Sequence, residues 1–214
     1  DGKENAILDA DTERGVFLLL GDHDIAAHAY LADETCRVEA FHDGRTLTRD
    51  DVFDPAIQRG VAHELHRLHQ LEPKGLPDEP FFELLHRQWS ELGRPVLTDH
   101  RDQLPADERA FCAELLALYD DTTISKVRRH QPDRDPVFCH NDTYHGNVFL
   151  LDDGSIRLLD FEFSCRNHRA FDFANLFAET VMEHGLPEPP YFRINAPAFT
   201  DDDLGSLIGF YLDH

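Results

Sequence analysis

Val137-Phe138-Cys139-His140-Asn141-Asp142-Thr143-Tyr144-His145-Gly146-Asn147 runs from an apolar strand into a polar loop, and Val148-Phe149-Leu150-Leu151 follows as a second apolar strand. Asp152-Asp153-Gly154-Ser155 has the composition of a turn, and Ile156 to Leu159 reads as the returning strand that delivers Asp160. A turn centred between Asp153 and Gly154 puts Asn147 directly opposite Asp160, so that two oxygen donors converge at the hairpin mouth. Hard cations such as Mg²⁺ choose one or two protein oxygens together with waters and substrate phosphates. Asp142 stands at the start of the same loop, where it could take a proton from an incoming hydroxyl. A base, an amide ligand and a carboxylate ligand together suit phosphoryl transfer, in which positioning and charge neutralisation carry most of the catalysis. Any one of these residues alone reads as an ordinary turn cap; the three together, on a hairpin, do not.

Downstream, residues 171–183 read as a helix on which Asp172, Asn175, Glu179 and Glu183 form a polar stripe, with Phe173, Leu176, Phe177 and Val181 largely clear of it. Asp172, near the start, reads as a loop anchor that holds the catalytic loop by hydrogen bonds. Upstream, Thr12-Glu13 opens a short helix-like stretch that ends at Gly21, and 37–41 alternates like a strand. Asp54 and Pro55 start an amphipathic helix through Ile57, Val61, Leu65 and Leu68 to about Leu71, stopped by Pro73 and Gly75. A further helix fits 106–119 with Phe111, Leu115, Leu118 and Tyr119 as its buried face, and 72–105 reads as shorter helices. His63, His66 and His69 recur every three residues, but position 67 is Arg67 and the zincin spacing fails, so they read as solvent-side or packed histidines.

The chain carries 42 Asp and Glu against 20 Lys and Arg, a formal charge of −22, which disfavours nucleic acid and anionic membranes as partners. Only Lys3, Lys74 and Lys126 are lysines, a bias resembling proteins of salt-loving organisms, and the acidity reads as a solvation device. With 41% apolar residues a core is available and disorder is excluded as the main state. No apolar run approaches the roughly 18 residues of a spanning helix, and the first residues lack a secretory pattern, so the chain reads as cytoplasmic without membrane insertion. Cys36, Cys112, Cys139 and Cys165 are far apart and read as reduced, mostly core residues.

His140-Asn141-Asp142-x4-Asn147, then Leu159-Asp160-Phe161-Glu162-Phe163, then Asn167-x3-Phe171-Asp172-Phe173-Ala174-Asn175-x-Phe177-x-Glu179 resembles the choline/ethanolamine kinase family. The last segment is the specific one. Weaker likeness runs from Ile7 through 37–41 and Gly44-Arg45-Thr46-Leu47 to Tyr191-Phe192 and Tyr211-Leu212, so essentially the whole chain is covered. The resemblance implies an α+β, protein-kinase-like bilobal fold, mostly the helical C-lobe with its metal-binding hairpin, and an incomplete N-lobe. Residues 1–40 would be the N-lobe remnant and 41–214 the C-lobe. It implies ATP and Mg²⁺ as cosubstrates and a small amino alcohol as acceptor. Asp142 would be the base, with Asn147 and Asp160 on the metal. Glu13 would be the helix Glu that pairs with a phosphate-binding Lys. Glu39, Ala40 and Phe41 would lie where the connector holds adenine. Glu179 would meet the cationic alcohol, and His140, Glu162, Asp172 and Asn175 would support the site.

The pattern has departures. Nothing before Glu13 reads as a Gly-rich loop and Lys3 is badly placed as the strand Lys; at the other end, the family's C-terminal helices, with their aromatic box, are missing, and Trp89 is the single tryptophan. The expectation is a truncated chain. Two rivals share the motif: a kinase of aminoglycosides or other small-molecule hydroxyls, and a catalytically inactive kinase-like binding protein. A homodimer stays open, since the sequence does not disclose the oligomeric state.

Overall fold

The computed structural model of the chain describes residues 8–131, 135–188, 192–195 and 199–214; Lys3, Ile7 and Tyr191 lie outside the described residues. Asp9 accepts the amide protons of Asp11 and Thr12 at 3.1 and 2.8 Å and so starts α1 (Ala10–Asp22) two residues before the Thr12 opening expected from sequence. Val16, Phe17 and Leu20 are its buried face. β1 (Ala29–Ala32) and β2 (Arg37–Glu39) form an antiparallel pair. β2 stops short of the expected 37–41 strand: the Ala40 N–H donates to the His28 carbonyl at 2.8 Å, and Phe41 is 88% exposed. β3 (Gly44–Thr46) leads to α2 (Pro55–Leu68), where Asp54 caps the Ala56 N–H and Val61, Ala62, Leu65 and Leu68 are buried. The helix ends at Leu68 rather than Leu71, with His69 as its C-cap.

Residues 79–135 make a separate unit of short helices: α3 (Phe81–Gln88), a π-turn at Trp89–Gly93, α4 (Arg94–His100), α5 (Ala106–Leu118) and α6 (Asp121–His130). The expected buried face of α5 is wrong. Phe111 and Leu118 are 66% and 60% exposed, while Cys112, one position round the helix, is the buried side chain. Its apolar residues lie on both sides of the helix, so periodicity alone could not choose between them.

The other unit, residues 8–78 and 136–214 in their described parts, continues with β4 (Val137–Cys139), β5 (Val148–Leu151), β6 (Ile156–Leu158), β7 (Cys165–Asn167), α7 (Ala170–Ala178), β8 (Met182–His184), β9 (Phe192–Ile194) and α8 (Asp201–Leu212). β3-β5-β6 is an antiparallel sheet, and β4–β7 and β8–β9 are antiparallel pairs. Thr200 and Asp203 close a capping box on α8. Leu65, Leu68, Leu158, Leu176, Phe177 and Leu207 are almost completely buried and supply the core of this unit, each contributing about 1.5–3 kcal/mol of burial.

The helix expected over 171–183 stops at Ala178. Thr180 returns its hydroxyl proton to the Phe177 carbonyl at 2.6 Å, a 3-10 turn covers Glu179–Val181, and the chain then pairs as β8 with β9. Glu183 therefore leaves the polar stripe and lies opposite Arg193. Among the described residues, no helix is long and apolar enough to cross a membrane. The four cysteines are free; Cys36 is exposed and the others are buried.

Candidate active site

The loop after β4 is tied down by a single buried carboxylate. Asp172, in the first turn of α7, accepts the backbone N–H of His140 on Oδ2 at 3.0 Å and that of Asn141 on Oδ1 at 2.8 Å. Its Oδ2 also meets His69 Nε2 at 3.0 Å, and its own carbonyl takes the Thr143 hydroxyl proton at 2.6 Å. Burial raises the Asp172 pKa, but the His69 hydrogen bond and charge, His140 and the Asn141 N–H outweigh it, and the carboxyl lies below its usual range. Asn141 has φ +67°, a left-handed backbone that asparagine tolerates, and its side chain is fixed on both ends: Nδ2 donates to the Phe163 carbonyl at 3.0 Å and Oδ1 accepts from Asn167 at 2.7 Å. These bonds over-determine the kink that turns the chain toward Asp142.

His140 staples the two halves of the site. Its Nδ1 accepts the Asp142 N–H at 3.3 Å, so Nε2 carries the proton and donates to the Leu159 carbonyl at 2.8 Å. Complete burial pushes its pKa down, in keeping with this neutral ring.

Asn147 closes a 3-10 turn at His145–Asn147 and is buried. Its Nδ2 donates to the Asp142 carbonyl at 3.0 Å and to Asp142 Oδ2 at 2.8 Å. Both amide hydrogens are thereby engaged and Asn147 Oδ1 is left for another partner. Gly146 is needed here, because a Cβ at that position would run into the Tyr144 ring.

The hairpin register differs from expectation by one residue. Val148 pairs with Leu158, Phe149 with Arg157 and Leu150 with Ile156, so Asn147 faces Leu159, whose N–H it receives at 2.9 Å, and not Asp160. The cause is the turn. It is a three-residue loop with Gly154 at φ +88°, a bulge that adds one residue to the two-residue turn expected from sequence. Asp160 follows the end of the ladder at φ +60°, exposed and without a hydrogen-bond partner among the described residues.

Asp160 instead lines a cleft of about 410 Å³ together with Glu13, Phe17, Arg37, Glu39 and Phe161. Arg37 lies over the Phe17 ring at 3.8 Å and pairs with Glu39 at 3.2 Å. Ala40 and Phe41 are not on the cleft wall. Burial, then the charges of Asp160, Glu13 and Asp142, raise the Glu162 pKa, so these carboxylates share one field. Asp142 is half-buried; desolvation raises its pKa, and Glu179 and Asp160 add to the rise against the opposing effects of His140 and Asn147. Glu179 is thus within electrostatic reach of Asp142, and its Oε2 meets His184 Nε2 at 2.9 Å. Asn175 faces Thr143 more loosely, at 3.4 Å. Asn147 Oδ1 and the Asp160 carboxylate, which have no hydrogen-bond partner among the described residues, are oxygen donors of the kind Mg²⁺ takes, but the observed register does not set them opposite each other, and Asp160 lines the cleft while Asn147 does not.

The sequence signature of the choline/ethanolamine kinase family matches residues 2–214. The chain belongs to that family. Choline kinase A2 of Caenorhabditis elegans is 25% identical over 94% of the chain and 53% of its own length. The chain spans about half the length of the curated relatives it matches. Among solved structures, choline kinase from Cryptosporidium parvum Iowa II superposes with a TM-score of 0.76 at 21% identity, over 100% of this chain and 63% of that one. LicA of Streptococcus pneumoniae, in complex with AMP, gives 0.57 at 18%, over 94% of this chain and 60% of that one. These likenesses show that the fold is that of the choline kinases.

Sequence reasoning passed over several residues of this family member's site. Asn141, Thr143 and Asn167 sit inside the motif, and the signal for Asn141 was there: a small amide beside a sharp polar turn is the side chain that tolerates positive φ. His69 read as solvent-side or packed and Tyr211 entered only through the family likeness, so neither pointed to Asp172, and His184 carried no local signal that distinguished it from surface residues.

Proposed function

We propose that the protein moves the γ-phosphoryl group of ATP to the hydroxyl of a small amino alcohol, choline or ethanolamine, in the cytoplasm. The observation that carries this reading is Asp142, with Oδ2 held by Asn147 and Oδ1 without a hydrogen-bond partner among the described residues, on a loop fixed by Asp172. In this reading Asp142 Oδ1 accepts the substrate hydroxyl proton as the oxygen attacks phosphorus. Its raised pKa makes it a stronger acceptor than a surface carboxylate. His140 and Asp172 keep the loop from relaxing away, and Asn175 adds a contact to Thr143.

Asn147 Oδ1 and Asp160 would hold Mg²⁺, with Glu162 reinforcing the negative field. The ion, when bound, supplies neutralisation of the phosphate charge. The cleft between residues 13–39 and 158–161 has room for a nucleotide, with Glu13 toward the phosphates and Glu39 toward the base; Ala40 and Phe41 enter as adenine contacts from the family likeness alone. The same two walls support a small lobe ending near residue 40 and a large lobe after it. Glu179 offers its charge to the ammonium of the alcohol, in exchange for His184.

The test is transfer from radiolabelled ATP to choline, ethanolamine and an aminoglycoside by the full gene product. Amino alcohols should be phosphorylated, and Asp142→Ala should lower turnover by about 10²–10⁴-fold with nucleotide binding near normal. Asp160→Ala should weaken Mg²⁺-dependent nucleotide binding. Unchanged turnover in Asp142→Ala, or transfer to the aminoglycoside alone, refutes the assignment.

A further inference from the structure

His69 is the innermost of the three regularly spaced histidines, and it is buried between α7 and α8. Its Nδ1 lies 2.9 Å from the Tyr211 hydroxyl and its Nε2 lies 3.0 Å from Asp172 Oδ2. The Cys139 thiol stands close enough for the three groups His69, Cys139 and Asp172 to be considered as metal ligands, their donor atoms all within 4.8 Å. The chemistry of the cluster points elsewhere. Both His69 nitrogens and both Asp172 oxygens already have hydrogen-bond partners. Burial pushes the Cys139 thiol far above its usual pKa, so it stays protonated and faces the Asn167 carbonyl at 3.4 Å.

We propose that Tyr211 is a positioning residue for Asp142, acting through His69 and Asp172. The inference rests on Asp142 being the base. The direction of the bonds to Asp172 follows from the donors available. The Asp172 carboxylate only accepts, so His69 Nε2 is the donor to it, while the Tyr211 hydroxyl holds the other side of the ring at Nδ1. His69 Nε2 therefore carries a proton, and that N–H points at Asp172. Asp172 thus receives His69, His140 N–H and Asn141 N–H with no donor or acceptor mismatched. Tyr211 on α8 thereby holds the ring of the histidine that caps α2, and the histidine holds the carboxylate that orients the catalytic loop.

Packing isolates the hydroxyl as the variable. The Tyr211 ring lies 5.2 Å from His66, 5.5 Å from His69 and 4.9 Å from Phe173 between centroids, and a phenylalanine keeps all three contacts. Leu207, one turn earlier on α8, is fully buried and takes no part in the hydrogen-bonded relay, so Leu207→Ala serves as a packing control.

The experiment is nitrogen-15 NMR of the His69 ring with amide hydrogen exchange, on the labelled 214-residue chain, followed by kinetics of the full gene product. The parent should show Nε2 protonated; a ring with bare Nε2 overturns the proposal. Tyr211→Phe should shift the His69 nitrogen signals and speed exchange at His140 and Asn141 by about tenfold, with Leu65 and Leu158 unaffected. Leu207→Ala should lower the melting temperature and speed exchange generally while leaving the His69 signals in place. In the enzyme, Tyr211→Phe should reduce kcat by about tenfold with KM for nucleotide unchanged. Unmoved ring signals, exchange that rises only in step with Leu65, or unchanged kcat each overturn it. The NMR readouts do not depend on phosphoryl transfer: were Asp142→Ala to keep full turnover, the base assignment would fall while the relay itself would still be measured.

Discussion

The loop platform and the cleft wall solve opposite problems with the same kinds of side chain. In the platform, His140, Asn141, Thr143, Asn147, Asn167 and Asp172 are buried and each has a hydrogen-bond partner. Across the cleft, β2 is exposed along its length, and Glu13 and Asp160 are exposed, their side chains without hydrogen-bond partners among the described residues. Buried polar groups are costly unless satisfied, so a region that invests in them is one whose geometry is set before any ligand arrives. Carboxylates left in mutual repulsion at a cleft are set for a cation that comes with the ligand. The difference assigns rigidity to the loop that carries Asp142, the proposed proton acceptor, and adaptability to the wall proposed to meet the nucleotide.

The sharpest way to break this contrast is Asp172→Ala. It strips the acceptor from His69, His140 and Asn141 at once and leaves their donors buried. Removal of one partner from a buried charged network costs about 3–5 kcal/mol, which should appear as a lower midpoint in urea denaturation. A loss below about 1 kcal/mol, the size expected of a surface change, would mean the platform is no more built than the wall.

Acid sharpens the same contrast with a smaller effect, since protonation neutralises the carboxylate but keeps its shape. The folded-state pKa values of Asp172 and His140 are both depressed, from references of 3.8 and 6.5. In each case the unfolded chain binds the proton first, so the stabilisation is present above the reference value and is lost as pH falls. Stability measured against pH should begin to decline near 6.5 through His140 and fall more steeply below 3.8 through Asp172. In Asp172→Ala the lower limb should flatten while the upper one persists. A parent curve flat between those values would remove the neutral, buried His140 from the account.

Much of the platform was legible because its parts are close in sequence. Two apolar strands around Asp152-Asp153-Gly154-Ser155 define a hairpin by composition, and Asp142, Asn147 and Asp160 follow from its placement. The register was not legible: a three-residue loop and a two-residue turn are both compatible with those four residues, and choosing between them moves Asn147 from Asp160 to Leu159. His69 and Tyr211 were invisible for another reason. His69 caps α2 and Tyr211 lies on α8, and only the packing of α8 against both α2 and α7 turns them inward. The end of α7 was set by the β8–β9 pairing, a contact that no periodicity within 171–183 reports.

The smallest effect belongs to the wall, and it tests the other half of the contrast. Glu13 gives up no hydrogen bond on substitution, and its charge opposes that of Glu162, whose pKa it helps to raise. Glu13→Gln keeps the shape of the side chain and removes that repulsion. The melting temperature should therefore stay within about 2 °C of the parent, with any change upward. Mg²⁺-nucleotide binding, by contrast, should weaken, because the charge that repels Glu162 in the free protein is a charge that would attract the nucleotide-bound Mg²⁺. If Glu13→Gln instead destabilised the chain as a buried network residue does, the wall would be a preset structure like the platform, and the division between a fixed proton acceptor and an adaptable nucleotide side would fail.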